Sequence, residues 1–192
     1  MGRTKCRINR MTYVGELGYE IFHPIEQQVS VYQTLTGAGE TFKLKMFGMY
    51  AMESMRLEKG YLGWKSEMNV HHTPLETPIA WTVKWDKDFI GKVGLEKQKT
   101  DGVPRQLACM TVAAADADAW GYNPIFSKDE IVGMTSSGGY GHRVEQSIAL
   151  GYVPPELAAP GTHLMVEVLG KKLPAQVVAM PLYDPKNERM KS

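Results

Sequence analysis

Cysteine is scarce in this chain: Cys6 and Cys109 are its only two. They lie far apart, belong to no C-x-x-C pair and have no histidine at metal-ligand spacing. That excludes a disulfide framework or a cysteine-based zinc site, and fits a reduced, intracellular protein. An excess of one charge is also missing. Lys+Arg number 22 against 21 Asp+Glu, a formal net charge of +1, and no local basic cluster stands out. The electrostatic case for nucleic acid or an anionic membrane is therefore absent. No apolar run approaches the roughly 20 residues of a membrane span, and the start of the chain has no signal-peptide core. Only five histidines occur. The adjacent pair His71-His72 shares neither a helix face nor a strand face. No further His, Cys or acid is spaced to complete a site, so no metal is expected.

What is present describes a globular protein. Hydrophobic residues make up 43% and charged residues 22% of 192 positions, enough for a real core in one or two domains. Residues 10–14 and 19–22 read as two strands joined by Gly15-Glu16-Leu17-Gly18. Pro24 then opens a helix carrying Ile25, Val29, Tyr32 and Leu35 at helical spacing, closed by Gly37. A second helix is predicted over Phe47–Lys59, with Tyr50, Ala51, Ser54, Met55 and Leu57 inward and Gly60 as its stop. Residues 60–78 follow neither period and read as a long loop, the kind that tends to be functional or to cover something. Ile79–Trp85 reads as a strand and Gly91–Lys99 as a short helix. Asp101-Gly102-Val103-Pro104 marks a boundary. Beyond it only short strands follow, at 106–112, 129–138, 146–153, 163–170 and 173–181, with the spacing of a sandwich or barrel. The chain is thus an α+β segment followed by an all-β module.

Few residues stand out as chemical. Glu20 sits in a strand that reads as half buried, on the face of Phe22. Either it is an edge acid paired with Arg10 or a lysine, or it points into a cleft where a ligand's N–H groups satisfy its charge. Tyr13, Tyr19, Tyr61, Trp64, Trp81 and Trp85 are core, or the walls of a site for a flat aromatic ligand. Arg56 and Glu58 read as an ion pair or a helix-end anchor. A triad of Ser136, His142 and Asp129 has no G-x-S-x-G context to support it. The glycine-rich run at 138–141 is not a phosphate loop and reads as a barrel bend.

The runs "YVGELGYEIFHP", "MRLEKGYLGW", "TPLETPIAWTVKW", "DFIGKVGLEKQK", "GMTSSGGYG", "SIALGYVP" and "PGTHLMVEVLGKKLPAQVVAMPLYDP" follow one another in an order that resembles the glycine cleavage T-protein, or aminomethyltransferase, family. The resemblance extends from about Arg10 to the C-terminus and is closest to the branch fused to dimethylglycine and sarcosine dehydrogenases. It implies a three-lobed fold around a folate channel. This chain supplies a ferredoxin-like antiparallel α+β lobe over 1–100 and the C-terminal β-barrel over 104–192. The first lobe, with the catalytic aspartate, is expected to be missing, so no catalytic residue is assigned within this segment.

Carried over residue by residue, the resemblance makes Tyr13, Glu20, Tyr61 and Trp81 folate contacts, with Arg189 as a looser match. It departs from the T-protein pattern at Met52, where that family has a folate-holding arginine. Met52 reads as a marker of the dehydrogenase branch or as a sign of weakened folate binding. The implied activity is tetrahydrofolate-dependent one-carbon transfer from a donor derived from a methylated amine. FAD is expected only in a separate fused domain, and a flavin-dependent dehydrogenase domain or subunit is an implied partner. The alternatives are a non-catalytic folate-binding or domain-contact module, and a demethylase acting on O- or S-methyl donors. The implied location is cytoplasmic, or the mitochondrial matrix in a eukaryote.

Overall fold

A computed structural model describes residues 2–191. The chain begins with a two-stranded antiparallel ladder, β1 (Arg7–Arg10) against β2 (Tyr19–Phe22), with Asn9 opposite Glu20. The first strand lies earlier than the expected 10–14. Residues 11–18 are taken up by a wide turn in which Val14 N–H donates to Thr12 Oγ1 at 3.1 Å and Tyr13 Oη donates to the carbonyl of Leu62 at 3.0 Å. That second bond pulls Tyr13 out of the ladder.

Pro24 precedes a 3-10 turn, Ile25–Gln27, which leads into α1 (Gln28–Gly39). The helix runs past Gly37, and Val31 is its one buried residue. Ile25, Val29 and Tyr32, the residues at helical spacing, are exposed, and no described residue covers that stripe. Helix α2 (Met49–Glu58) buries only its last turn, Arg56, Leu57 and Glu58. Tyr50, placed on the inner face by periodicity, is exposed.

Ile79–Trp85 is not a strand. Thr82 N–H donates to the Ile79 carbonyl at 2.9 Å and Thr82 Oγ1 to the same oxygen at 2.8 Å, closing a 3-10 turn over Ala80–Thr82. Its β-branched and aromatic residues suit a strand, but among the described residues it pairs with no sheet. Helix α3 (Lys92–Asp101) closes this lobe. Among the described residues the lobe's sheet remains the β1–β2 pair, smaller than a full ferredoxin-like sheet.

The second half is a closed antiparallel barrel. Its strands are β3 (Gln106–Val112), β4 (Pro124–Ser127), β5 (Glu130–Gly141), β6 (Gln146–Val153), β7 (His163–Val168) and β8 (Lys171–Val178). They close in the order β3-β6-β5-β4-β7-β8. Strand β4 was not foreseen: four residues beginning with proline give too little alternation to register. Met110, Ile125, Ala149, Val166 and Val177 fill the interior.

β6 is buried on both faces, which explains its nearly unbroken apolar run. Outside the barrel, Ile148, Leu150 and Tyr152 join Leu107, Cys109 and Leu57 of α2 in a second cluster. Burying a leucine such as Leu57 contributes roughly 1.5–3 kcal/mol. The lobe is thus fastened to the barrel through the last turn of α2.

Gly60 makes the exit from α2 possible. Its φ is +67°, and a Cβ there would stand 2.3 Å from Met180 Cγ. Gly170 has a similar φ of +76° but open space around it. Gly60→Ala is therefore expected to cost about 2 kcal/mol or more, and Gly170→Ala about 1 kcal/mol. Urea unfolding of both variants checks the ordering; equal losses would refute the contact with Met180.

Candidate functional site

The turn after α2 places Tyr61 and Leu62 across from Tyr13, which stands on the β1–β2 turn. Ile79 and Trp81, from the 3-10 turn, form a third wall, and Met180 and Pro181 come from the segment after the barrel. Together they enclose a groove of about 450 Å³. The Tyr13 and Tyr61 rings lie nearly parallel, 15° apart, with centroids separated by 6.2 Å. Three of the five sequence-assigned residues, Tyr13, Tyr61 and Trp81, therefore meet in one place. Burial pushes the Tyr13 hydroxyl above its ordinary pKa, with Glu53 and Glu67 adding to the rise against Arg56. Burial and Asp184 do the same for Tyr61. Both phenols stay protonated as donors near neutral pH.

Arg189 lies beyond the groove lining, on the short helix α4 (Glu188–Lys191). Its Nε is 3.5 Å from Glu16 Oε2, and Glu16 also takes Arg143 at 3.1 Å and the Tyr183 hydroxyl at 2.8 Å. The neighbouring Met190 receives the Tyr61 hydroxyl on its sulfur at 2.9 Å. This tail therefore ties the Gly15–Gly18 turn to the groove.

Glu20 is a correction. It was expected to face the inner wall of a cleft, but it is exposed and does not line the groove. A two-stranded ladder has no second layer to bury either face, so sharing a face with Phe22 does not place it inside. It has no ion-pair partner among the described residues, neither Arg10 nor a lysine. Met52 also lies outside the groove lining.

Beneath the groove is a buried charge cluster whose central acid, Glu67, sequence reasoning missed. Glu67 is 0% exposed. It accepts Arg56 Nη1 at 2.9 Å, Gly63 N–H at 2.7 Å, and the hydroxyls of Ser66, Ser136 and Ser137 at 2.9, 2.7 and 2.5 Å. Burial alone would raise its pKa, but the Arg56 guanidinium and these donors hold it below the ordinary value. Arg56 also donates to Glu53 at 2.7 Å, to the Tyr61 carbonyl at 3.1 Å and to Ser137 at 2.8 Å. Glu67 falls in a loop with no period, between Ser66 and Met68, and nothing in its local sequence marks it.

Arg56 and Glu58 are not paired with each other. Glu58 Oε1 caps the β5–β6 turn through Arg143 and Val144 N–H at 2.5 and 3.2 Å. Lys59 reaches Asp184 Oδ2 at 3.1 Å. Both are anchors between lobe and barrel. The imagined triad is not assembled: Ser136 bonds Glu67, His142 lies edge-on to Tyr140, and Asp129 sits 3.6 Å from Lys172. His72 stacks on Tyr152 with centroids 3.9 Å apart, and burial, aided by Arg105, lowers its pKa. Among the described residues no cluster of His, Cys, Asp or Glu could hold a metal ion, and no helix is long and apolar enough to cross a membrane.

The lobe–barrel pair built around this groove defines a class. Residues 1–87 match the model of the GCVT N-terminal domain, and residues 105–184 match the glycine cleavage T-protein C-terminal barrel domain. The chain belongs to the glycine cleavage T-protein (aminomethyltransferase) family. It is 42% identical over 175 residues to mitochondrial dimethylglycine dehydrogenase of Mus musculus, covering 90% of this chain and 20% of that protein. It is 35% identical to an aminomethyltransferase of Halothermothrix orenii, covering 91% and 49%. The crystal structure of glycine cleavage system aminomethyltransferase T from Bartonella henselae superposes with a TM-score of 0.83 at 26% identity, over 92% of this chain and 49% of that one. The chain thus spans about half the length of these aminomethyltransferases and a fifth of the dehydrogenase.

Glu67→Gln keeps the shape but leaves Arg56 short of a charge. Removing one partner of a buried pair costs roughly 3–5 kcal/mol, and that loss is expected at pH 7 by urea unfolding. Glu67's folded pKa is depressed, so its contribution is complete above the ordinary value of 4.5 and disappears as pH falls through the folded value. Wild type and variant should converge in acid. A gap that persists at low pH would contradict the assigned ionisation.

Proposed function

We propose that this chain is the folate-binding part of a tetrahydrofolate-dependent one-carbon transferase of the aminomethyltransferase type. Its two units are the lobe over 1–100 and the barrel over 104–192. The observation that carries the reading is the meeting of Tyr13, Tyr61 and Trp81 around one groove. A flat heterocycle lying against these aromatic walls gains stacking, worth roughly 0.5–1.5 kcal/mol per ring pair beyond area burial. The Tyr13 and Tyr61 hydroxyls already bond Leu62 and Met190. Their service is therefore to hold the rings in place.

Tetrahydrofolate, when bound, supplies the nitrogens that accept the carbon. The chain's residues orient it and shield one side from water, and orientation of reactants is worth roughly 7–11 kcal/mol of barrier in favourable cases. No general acid or base is assigned to Tyr13, Tyr61 or Trp81. Proton transfer and the methylated-amine-derived donor belong to partner groups, and a flavin, where one is used, to a separate dehydrogenase domain. Glu20, exposed and outside the groove lining, is left with no more than a weak, solvent-screened charge contact to the ligand. A domain-contact role accompanies this one, favoured by the uncovered stripe of Ile25, Val29 and Tyr32 on and before α1.

Titration calorimetry of tetrahydrofolate against the chain tests the reading. Tyr61→Ala and Trp81→Ala are each expected to weaken binding about tenfold, the equivalent of one lost stacking contact. Glu20→Gln should weaken it less than about fivefold, as an exposed charge contact does. Binding unchanged in both aromatic variants would overturn the assignment of the groove.

A further inference from the structure

A second cavity, of about 430 Å³, opens between the loop that follows α2 and the barrel, and it shares no lining residue with the groove. One wall is basic and polar, with Lys65, Asn69 and His72 from the loop and Arg105 from the approach to β3. The facing wall is largely apolar, with Val132 and Met134 of β5 and Pro154 after β6. Among the described residues no aspartate or glutamate lines it. Its volume falls within the roughly 300–1,000 Å³ typical of small-molecule sites.

The positive charge on the basic wall is only partly met within the chain. Lys65 has no ion-pair partner among the described residues. Its backbone is held in the left-handed region, φ +79°, and its N–H donates to the Met68 carbonyl at 2.7 Å. Arg105 and His72 share one acid, the buried Glu76, which stands behind the wall. Arg105 Nε is 3.5 Å from Glu76 Oε1 and His72 Nδ1 is 3.7 Å from Oε2. Neither contact is a hydrogen bond, and both nitrogens are buried without a hydrogen-bond partner. Glu76 Oε2 instead accepts Thr73 N–H at 2.8 Å. Arg105 Nη2 donates to the His71 carbonyl at 3.0 Å, which leaves Nη1 without a hydrogen-bond partner among the described residues. Asn69 accepts His71 N–H on Oδ1 at 2.8 Å, so its amide NH2 is likewise uncommitted. The His72 ring is fixed by its stack on Tyr152, whose own hydroxyl donates to the Glu67 carbonyl at 2.6 Å.

We propose that this cavity binds a small organic oxyanion, a carboxylate or phosphate monoester with an apolar body. Lys65 and Arg105 supply two cations against a single carboxylate that lies outside the lining. The free Nη1 of Arg105 and the Asn69 amide are donors for the ligand's oxygens, and charge-assisted bonds of this kind are the strong ones. The apolar body then lies against Val132, Met134 and Pro154. None of these contacts uses Tyr13, Tyr61 or Trp81, so the site stands or falls independently of the folate reading.

Calorimetry on the whole chain with benzoate, phenyl phosphate and the neutral benzamide tests the proposal. At least one of the two anions should bind saturably, the tighter one identifying the headgroup, and benzamide should bind at least about tenfold more weakly. Arg105→Gln should weaken the anion about tenfold. Lys65→Asn, which suits the left-handed backbone, should weaken it about threefold without lowering the melting temperature. Met134→Glu, at an exposed position on the apolar wall, should abolish binding by placing a carboxylate there. In the wild type the His72 imidazole resonances should move on titration with the calorimetric midpoint. Benzamide binding as tightly as the anions, binding that survives both Lys65→Asn and Arg105→Gln, His72 resonances that stay still, or no saturable binding of either anion would each overturn the proposal.

Discussion

The contact between Arg56 and Glu67 organises most of what surrounds it. Glu67 is fully buried, and five donors converge on its two oxygens, from α2, from the loop after it and from β5. A buried ion pair of this kind is weak evidence of extra stability, since apolar residues of similar volume often do as well. Its effect here is geometric. Arg56 also holds the Tyr61 carbonyl and Glu67 holds the Gly63 N–H, so the loop that carries Tyr61 is wound around the pair. The groove wall that carries Tyr61 therefore rests on it.

The adjoining residues extend the same logic. Leu57 enters the outer barrel cluster, Glu58 caps the β5–β6 turn and Lys59 reaches Asp184 beyond β8. Four consecutive residues, Arg56 to Glu58 of α2 and its C-cap Lys59, thus bind four different parts of the chain. Lobe and barrel meet through polar contacts of defined direction, which set their relative orientation more narrowly than apolar contact alone could.

The barrel was the more legible half of the sequence. Strands β3 and β6 coincide with their expected spans because a strand covered on both faces writes a continuous apolar run. β4 escaped because four residues with a leading proline carry almost no pattern. In the lobe, periodicity marks α1 without marking a buried face: its apolar stripe is uncovered among the described residues. The segment Ile79–Trp85 shows the converse. Its residue types suit a strand, yet without an adjacent edge its backbone satisfies itself in a local turn.

The site was readable only in part. Tyr13, Tyr61 and Trp81 were reached through motif order, and their convergence depends on Gly60 and on the wide turn at 11–18, which no period encodes. Glu20 was placed by strand alternation, a rule that presupposes a covered face, and a bare two-stranded ladder does not supply one. That difference moves the weight of the ligand reading from charge to stacking. An exposed carboxylate is screened by water and contributes little, whereas rings held by the bonds to Leu62 and Met190 keep their geometry without a ligand. A groove arranged this way can orient a flat molecule while leaving one side open. Chemistry that needs a dry, enclosed centre therefore requires a further wall, and binding and reaction become separable properties of this architecture.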